Sequence, residues 1–175
     1  MLGDIVYLDN AAATRLDERV LEVMKPYFFD LYAVATSQFG YSLGIDARDA
    51  LEDARSQVAA SIGAQPDELI FTSGSTESSN LALKGVARAV GKGEGEIVIS
   101  ALEDFPVLHS ARTLDKQGYE MTKVRVDETG RVDLDQLREA VTPDTTLVSI
   151  QAANQEIGTL QDLEAIGEIC RENGV

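Results

Sequence analysis

Only one cysteine, Cys170, and one histidine, His109, occur in the 175 residues. A lone thiol excludes an internal disulfide framework and any multi-thiolate metal site, and a lone imidazole excludes a histidine cluster for zinc. Basic residues are also scarce. Lys and Arg total 15 against 30 Asp and Glu, and the resulting formal charge of −15 would repel a phosphate backbone. Nucleic acid is therefore not expected as a direct partner, and most of the acidic excess belongs on a solvated face. No uncharged apolar run approaches the roughly 18–20 residues of a transmembrane helix. Met1-Leu2-Gly3-Asp4 lacks the basic-then-apolar build of a signal peptide. The expectation is a cytoplasmic protein without a membrane contact. Its chemistry must rest on backbone groups, carboxylates, hydroxyls, amides or something borrowed.

What is present is an ordinary globular mixture, 44% hydrophobic and 26% charged, which excludes disorder. The length suits one compact domain or a piece of a larger one. Asp17 is placed to cap a helix with the apolar stripe Val20, Leu21, Met24, Tyr27 and Phe28, and a small-residue loop from Ala33 to Gly44 follows. A long helix carries Ala47, Leu51, Ala54, Val58 and Ile62 and stops at Gly63. From Pro66 the alternation tightens. Strand Leu69–Thr72, a helix from Thr76 to Val90, the glycine loop Gly91–Gly95 and strand Ile97–Ile99 come in succession. Then follow a helix around Val107 to Leu114, a strand over Tyr119–Val126, a turn at Thr129-Gly130 and a short helix with Leu134, Leu137 and Val141. Strand Leu147–Ile150 precedes a last helix, capped near Asp162 and ending at Gly174. Strands separated by helices predict an α/β fold with a mostly parallel sheet flanked by helices. The same rhythm would deliver a further strand after Val175.

In open α/β sheets ligands bind at the carboxyl ends of strands, which directs attention to three strand-to-helix turns. In Thr72-Ser73-Gly74-Ser75-Thr76-Glu77-Ser78 a glycine turn opens a helix with two hydroxyl residues. The N–H groups and hydroxyls of Ser75 and Thr76, aided by the helix dipole, suit a phosphate; an ordinary N-cap with Glu77 in the first turn explains the same pattern. In Glu103-Asp104-Phe105-Pro106 two carboxylates are either an acid/base pair or, as is usual before a proline-started helix, capping groups. In Asn154-Gln155-Glu156 the amides either orient a planar ligand's oxygen or bond their own backbone. Cys170, on an apolar helix face, reads as a small buried hydrophobe, and His109 as a surface or packing residue.

Taken together, Tyr7-Leu8-Asp9-Asn10-Ala11-Ala12, the run Ile70 to Gly85, and Leu147-Val148-Ser149-Ile150 followed by Asn154-Gln155-Glu156-Ile157-Gly158-Thr159 resemble the first part of a cysteine desulfurase. The similarity is to the NifS/IscS-like branch of the class V aminotransferases, and the order and spacing hold over nearly the whole chain. It implies a fold-type I enzyme dependent on pyridoxal 5′-phosphate (PLP), with residues 1–14 an N-terminal segment and 15–175 an incomplete large α/β domain. A homodimer or a complementing C-terminal half is implied as partner. L-cysteine would be the substrate, its sulfur passing to a Cys as persulfide and leaving alanine, with an iron–sulfur scaffold or other sulfur acceptor downstream.

In that family the Ser-Gly-Ala/Ser-Thr turn cradles the PLP phosphate, which coincides with the anion site read from Ser75 and Thr76. A His stacks on the pyridine ring and an Asn contacts the phenolic oxygen; here those positions hold Asp104 and Gln155. The Gly-Asn-Pro-Ser substrate loop is replaced by Val34-Ala35-Thr36-Ser37. The family's Asp for the pyridine nitrogen, cofactor-anchoring Lys, catalytic Cys and substrate-binding Arg lie past residue 175. Lys25, Lys84, Lys92, Lys116, Lys123 and Cys170 match none of them, so this chain by itself is expected to be inactive. Another class V aminotransferase or lyase, or a non-catalytic scaffold subunit, is the alternative.

Overall fold

The computed structural model describes residues 5–36, 40–90 and 95–175. Residues 91–94 of the expected glycine loop, with Lys92, and Ser37 of the altered substrate loop lie outside the described residues, as does Met1-Leu2-Gly3-Asp4. The chain divides into two compact units, one ending at Phe71 and the other beginning at Thr72.

In the first unit, Asp17 caps α1 (Glu18–Met24) by accepting the Arg19 N–H at 2.8 Å, as its position predicts. The stripe that would have run on through Tyr27 and Phe28 is interrupted, because Pro26 has no N–H to continue the helix and starts α2 (Pro26–Phe29) instead. The long helix is α3 (Ser42–Ser61). Gly63, at a φ of +71°, ends it as expected, with Ala64 N–H reaching Ala59 O at 2.9 Å and Gly63 N–H reaching Ala60 O at 3.3 Å.

A single 3-10 turn, Pro66–Glu68, follows. The strand expected over Leu69–Thr72 does not form. Strand-favouring side chains become a strand only when a neighbouring backbone pairs with them. Here the Leu69 carbonyl accepts the Arg55 guanidinium at 2.7 Å, the same guanidinium sits 5.0 Å over the Phe71 ring, and Ile70 stays exposed.

The second unit confirms the α/β expectation. Its order is α4 (Ser75–Val90), β1 (Glu96–Ser100), α5 (Phe105–Asp115), β2 (Glu120–Val124), α6 (Leu134–Ala140), β3 (Thr145–Ser149) and α7 (Leu163–Asn173). The three strands form a parallel sheet in the order β2-β1-β3. The strand expected over Tyr119–Val126 is shorter at both ends. Tyr119 turns inward to donate its hydroxyl to Ala87 O at 2.8 Å, and Val126 makes an isolated antiparallel bridge to Val132.

The central strand β1 is buried on both sides, so its side chains divide by period two between two cores. Ile97 and Ile99 pack with Leu83 and Ala87 from α4, Ala111 and Leu114 from α5, and Tyr119 just before β2. Val98 packs on the other face with Val124 from β2, Leu137 from α6, Val141 just after it, and Ile166 and Ile169 from α7. The connection from β1 to β2 steps one way along the sheet and that from β2 to β3 steps back across β1. A crossover that keeps its hand while reversing direction must return over the opposite face, which is where α6 lies.

Side-chain caps fix the ends. Asp133 accepts Gln136 N–H and Asp162 accepts Ala165 N–H at the starts of α6 and α7, and Gly174 ends α7 at a φ of +73°. The expected turn at Thr129-Gly130 is present, with Asp127 Oδ1 accepting the Thr129 and Arg131 N–H groups. Among the described residues no helix is long and apolar enough to cross a membrane.

Leu137 is wholly buried, so Leu137→Ala should cost about 2–5 kcal/mol in urea unfolding. Asp162→Ala, which removes only a cap, should cost about 1 kcal/mol.

Candidate functional site

Two of the three turns chosen from the sequence are brought together. Because β1 and β3 are neighbours, with Ile99 opposite Ser149, the loops that leave their carboxyl ends lie side by side. They enclose a cleft of about 190 Å³, lined by residues 101–105 after β1 and by Gln151 and residues 154–156 after β3. Asp104 and Gln155 are both in its wall. Ser75 and Thr76 are not among the residues that line it.

The loops are joined by a carboxylate that the sequence could not assign. Glu103 Oε1 accepts the Ser100 hydroxyl at 2.6 Å and the Gln151 N–H at 2.8 Å, tying the end of β1 to the loop after β3. Burial pushes the Glu103 carboxyl above its ordinary value of 4.5, against the pull of those hydrogen bonds. Ser100 and Gln151 were missed in the sequence. Ser100 is the last residue of β1 and Gln151 lies two residues past β3, but only the β1–β3 adjacency brings them to the same carboxylate.

Asp104 is the N-cap of α5, its Oδ1 accepting the Phe105 N–H at 2.8 Å, with Pro106 in the first turn. The capping alternative therefore describes it. Gln155 Oε1 accepts from Gln151 Nε2 at 2.5 Å, and Asn154 Oδ1 accepts the N–H groups of Glu156 and Ile157 at 2.9 and 3.0 Å. Asn154 thus serves its own backbone. The Nε2 of Gln155 has no partner among the described residues.

Behind the cleft, the loop after β3 is pinned from outside. Gln161 accepts Val132 N–H at 2.9 Å and donates to Gly130 O at 2.8 Å, while Thr159 donates to Thr129 O. Gly130 fits tightly, at a φ of +82°. A Cβ there would lie 2.6 Å from Ile157 Cδ1 and 3.0 Å from Leu102 Cδ2, one residue from each cleft loop.

At the start of α4 the neighbours of Ser75 and Thr76 bond to one another and not to the first-turn N–H groups. Glu77 Oε2 accepts both the N–H and the hydroxyl of Ser73, at 2.7 and 2.6 Å, and these bonds hold the Glu77 carboxyl below its ordinary range. The Thr72 and Ser78 hydroxyls pair at 2.6 Å. Gly74, at a φ of +154°, supplies a backbone that residues with a Cβ rarely adopt. Ser75 and Thr76 are exposed, and among the described residues nothing accepts from their N–H groups or engages their hydroxyls.

Cys170 is half-buried against the Val98 core, and burial pushes its thiol up, which keeps it a neutral packing residue. His109 is exposed and stacks on Phe105 one turn back, centroids 6.0 Å apart, outside the cleft wall.

The parallel α/β unit has its cleft at the strands' carboxyl ends, where open α/β sheets bind ligands. The sequence pattern of the class V aminotransferases matches residues 6–175, and the chain belongs to that family. It is 45% identical over 170 residues to "Cysteine desulfurase IscS" of Neisseria meningitidis serogroup A, covering 97% of this chain and 42% of that protein. It is 44% identical to "Cysteine desulfurase, mitochondrial" of Saccharomyces cerevisiae, covering 97% of this chain and 34% of that protein. Among solved structures a NifS-like protein superposes with a TM-score of 0.90 at 40% identity, over 96% of this chain and 46% of that one. "SspA in complex with cysteine" superposes with a TM-score of 0.90 at 34% identity, over 97% and 48%. The resemblance to the NifS/IscS-like cysteine desulfurases and the α/β fold-type I architecture therefore hold, and the chain spans less than half the length of these relatives.

The raised pKa of Glu103 sets a pH dependence. Between 4.5 and the raised value the folded chain keeps a proton that the unfolded chain has released. The contribution of Glu103 to stability is fully present below about 4.5 and is lost as pH rises through the folded value. Glu103→Gln, which keeps an acceptor oxygen and removes the charge, should flatten urea-unfolding stability between about pH 4 and pH 8. A variant with the same slope as the parent would mean that another group causes it.

Proposed function

We propose that the chain forms the cofactor-phosphate-binding part of a PLP-dependent, cysteine desulfurase-like enzyme. The observation that carries the reading is the opening turn of α4. The bonds among Ser73, Glu77, Thr72 and Ser78 take up none of the first-turn N–H groups of α4, so the N–H groups and hydroxyls of Ser75 and Thr76 are available to an anion at the positive end of the helix dipole. The residues fit the phosphate end of PLP. PLP, when bound, supplies an electron sink for chemistry on an amino acid.

This chain's residues would hold the phosphate at Ser75 and Thr76 and face the ring from Asp104 and Gln155. L-cysteine is the proposed substrate. The residues that anchor the cofactor and receive sulfur would come from a complementing C-terminal half, in a homodimer or hetero-complex. The proposed setting is cytoplasmic, with an iron–sulfur scaffold or another sulfur-acceptor protein as recipient.

One observation favours a second reading. Asp104 caps α5 and offers no plane to stack on a pyridine ring, which suits another class V aminotransferase or lyase, or a scaffold subunit.

Ser75→Ala combined with Thr76→Ala should weaken PLP binding by about 1–3 kcal/mol, the scale of hydrogen bonds to a charged group, and leave urea stability nearly unchanged. Glu77→Ala should do the reverse, lowering the urea-unfolding midpoint without weakening PLP binding. Equal PLP affinity in the double variant, measured by fluorescence titration, would remove the phosphate role from this turn.

A further inference from the structure

The amide of Gln155 is held at one end and free at the other. Its Oε1 accepts from Gln151 Nε2 at 2.5 Å, so its NH2 is the end left without a partner among the described residues. Gln151 is itself fixed at several atoms. Its N–H donates to Glu103 Oε1 at 2.8 Å and its Oε1 accepts from Asn154 Nδ2 at 3.1 Å. Glu103 is in turn anchored to the end of the central strand by the Ser100 hydroxyl at 2.6 Å. A continuous line of hydrogen bonds therefore runs from the rigid, fully buried end of β1 to an amide in the cleft wall.

The line has a chemical consequence. A free glutamine amide can present either its oxygen or its nitrogen to a ligand. A donor already aimed at Oε1 selects the orientation in which the nitrogen faces away as a two-hydrogen donor. Gln155 is exposed, so the bond from Gln151, itself tied to half-buried Glu103 and to Asn154, is what holds that choice.

We propose that Gln151, fixed by Glu103, is a positioning residue that locks the Gln155 amide with its NH2 presented to the cleft as donor to an anionic oxygen of a planar, phosphate-bearing ligand. This rests on the PLP reading for the ligand's identity, but the lock is a property of the chain alone. Gln151 touches no ligand; it acts through Gln155. It also accounts for the extra methylene of Gln155, whose longer arm is braced by a second glutamine.

The full chain, labelled with ¹⁵N, provides the test without catalysis. In the parent, the Gln155 side-chain NH2 should give a distinct, dispersed pair of signals and the Gln151 backbone N–H should exchange slowly. Gln151→Leu should collapse the Gln155 NH2 pair toward random-coil positions while the residue-151 N–H stays protected by Glu103. Glu103→Ala should speed exchange of the Gln151 N–H by about tenfold or more, and Glu103→Gln should restore it.

PLP affinity should fall about three- to tenfold in Gln151→Leu and in Gln155→Glu, which keeps the acceptor and loses the donor, while affinity for inorganic phosphate stays unchanged. Unchanged Gln155 NH2 signals in a folded Gln151→Leu chain would overturn the lock. If Gln155→Glu binds PLP as tightly as the parent, the donor role is overturned. Loss of the NMR lock with no PLP binding even in the parent would overturn the PLP reading and leave the positioning by Gln151 standing.

Discussion

The double burial of β1 is the constraint on which the second unit depends. A strand with Ile97 and Ile99 on one face and Val98 on the other cannot be covered from one side only, so helices must be delivered to both faces. The reversal of direction between the β1–β2 and β1–β3 steps does this, and the same reversal places the exits of β1 and β3 side by side. The cleft is thus a by-product of packing. What makes it chemically specific is the single carboxylate, Glu103, that joins its two walls.

The elements of this unit were legible in the sequence because each has a local cause. Asp133 and Asp162 start helices by accepting N–H groups three residues on, Gly174 ends one at positive φ, and Asp127 folds its own turn. Leu69–Thr72 was misread because its strand-forming side chains are only half of what a strand requires. The other half is a partner backbone, and the segment instead gives its Leu69 carbonyl to Arg55. The same limit hid the cleft network. Glu103 was visible as one of two adjacent carboxylates, but its partner Gln151 is 48 residues away, and which strands are neighbours is decided by tertiary packing.

The first turn of α4 shows how identical residue types divide their work. Sequence spacing could not say whether the hydroxyls there cap the helix or await an anion, because Ser and Thr do both. Geometry separates them by position. Ser73 precedes the helix and engages Glu77, whereas Ser75 and Thr76 lie within the first turn, where side chains no longer reach the free N–H groups ahead of them. The glycine between the two pairs has no Cβ contact to satisfy, so its role is conformational: it lets the chain turn from one set to the other.

Position 104 explains why the cleft departs from the resemblance at the ring-stacking residue. It is the N-cap of α5, an end whose first N–H groups need an acceptor, and the proline in the first turn makes the Phe105 N–H the donor closest to it. Asp satisfies that donor directly at 2.8 Å, and so gains the capping energy of about 1 kcal/mol and a favourable place in the helix dipole. An imidazole in the same place would give up the cap in order to present a plane toward the cleft. The two uses compete for one side chain, and in this chain the helix has it. On the proposed reading, a site that gives residue 104 to the helix relies for its hold on a planar ligand on the other wall, where the bond from Gln151 fixes one end of the Gln155 amide.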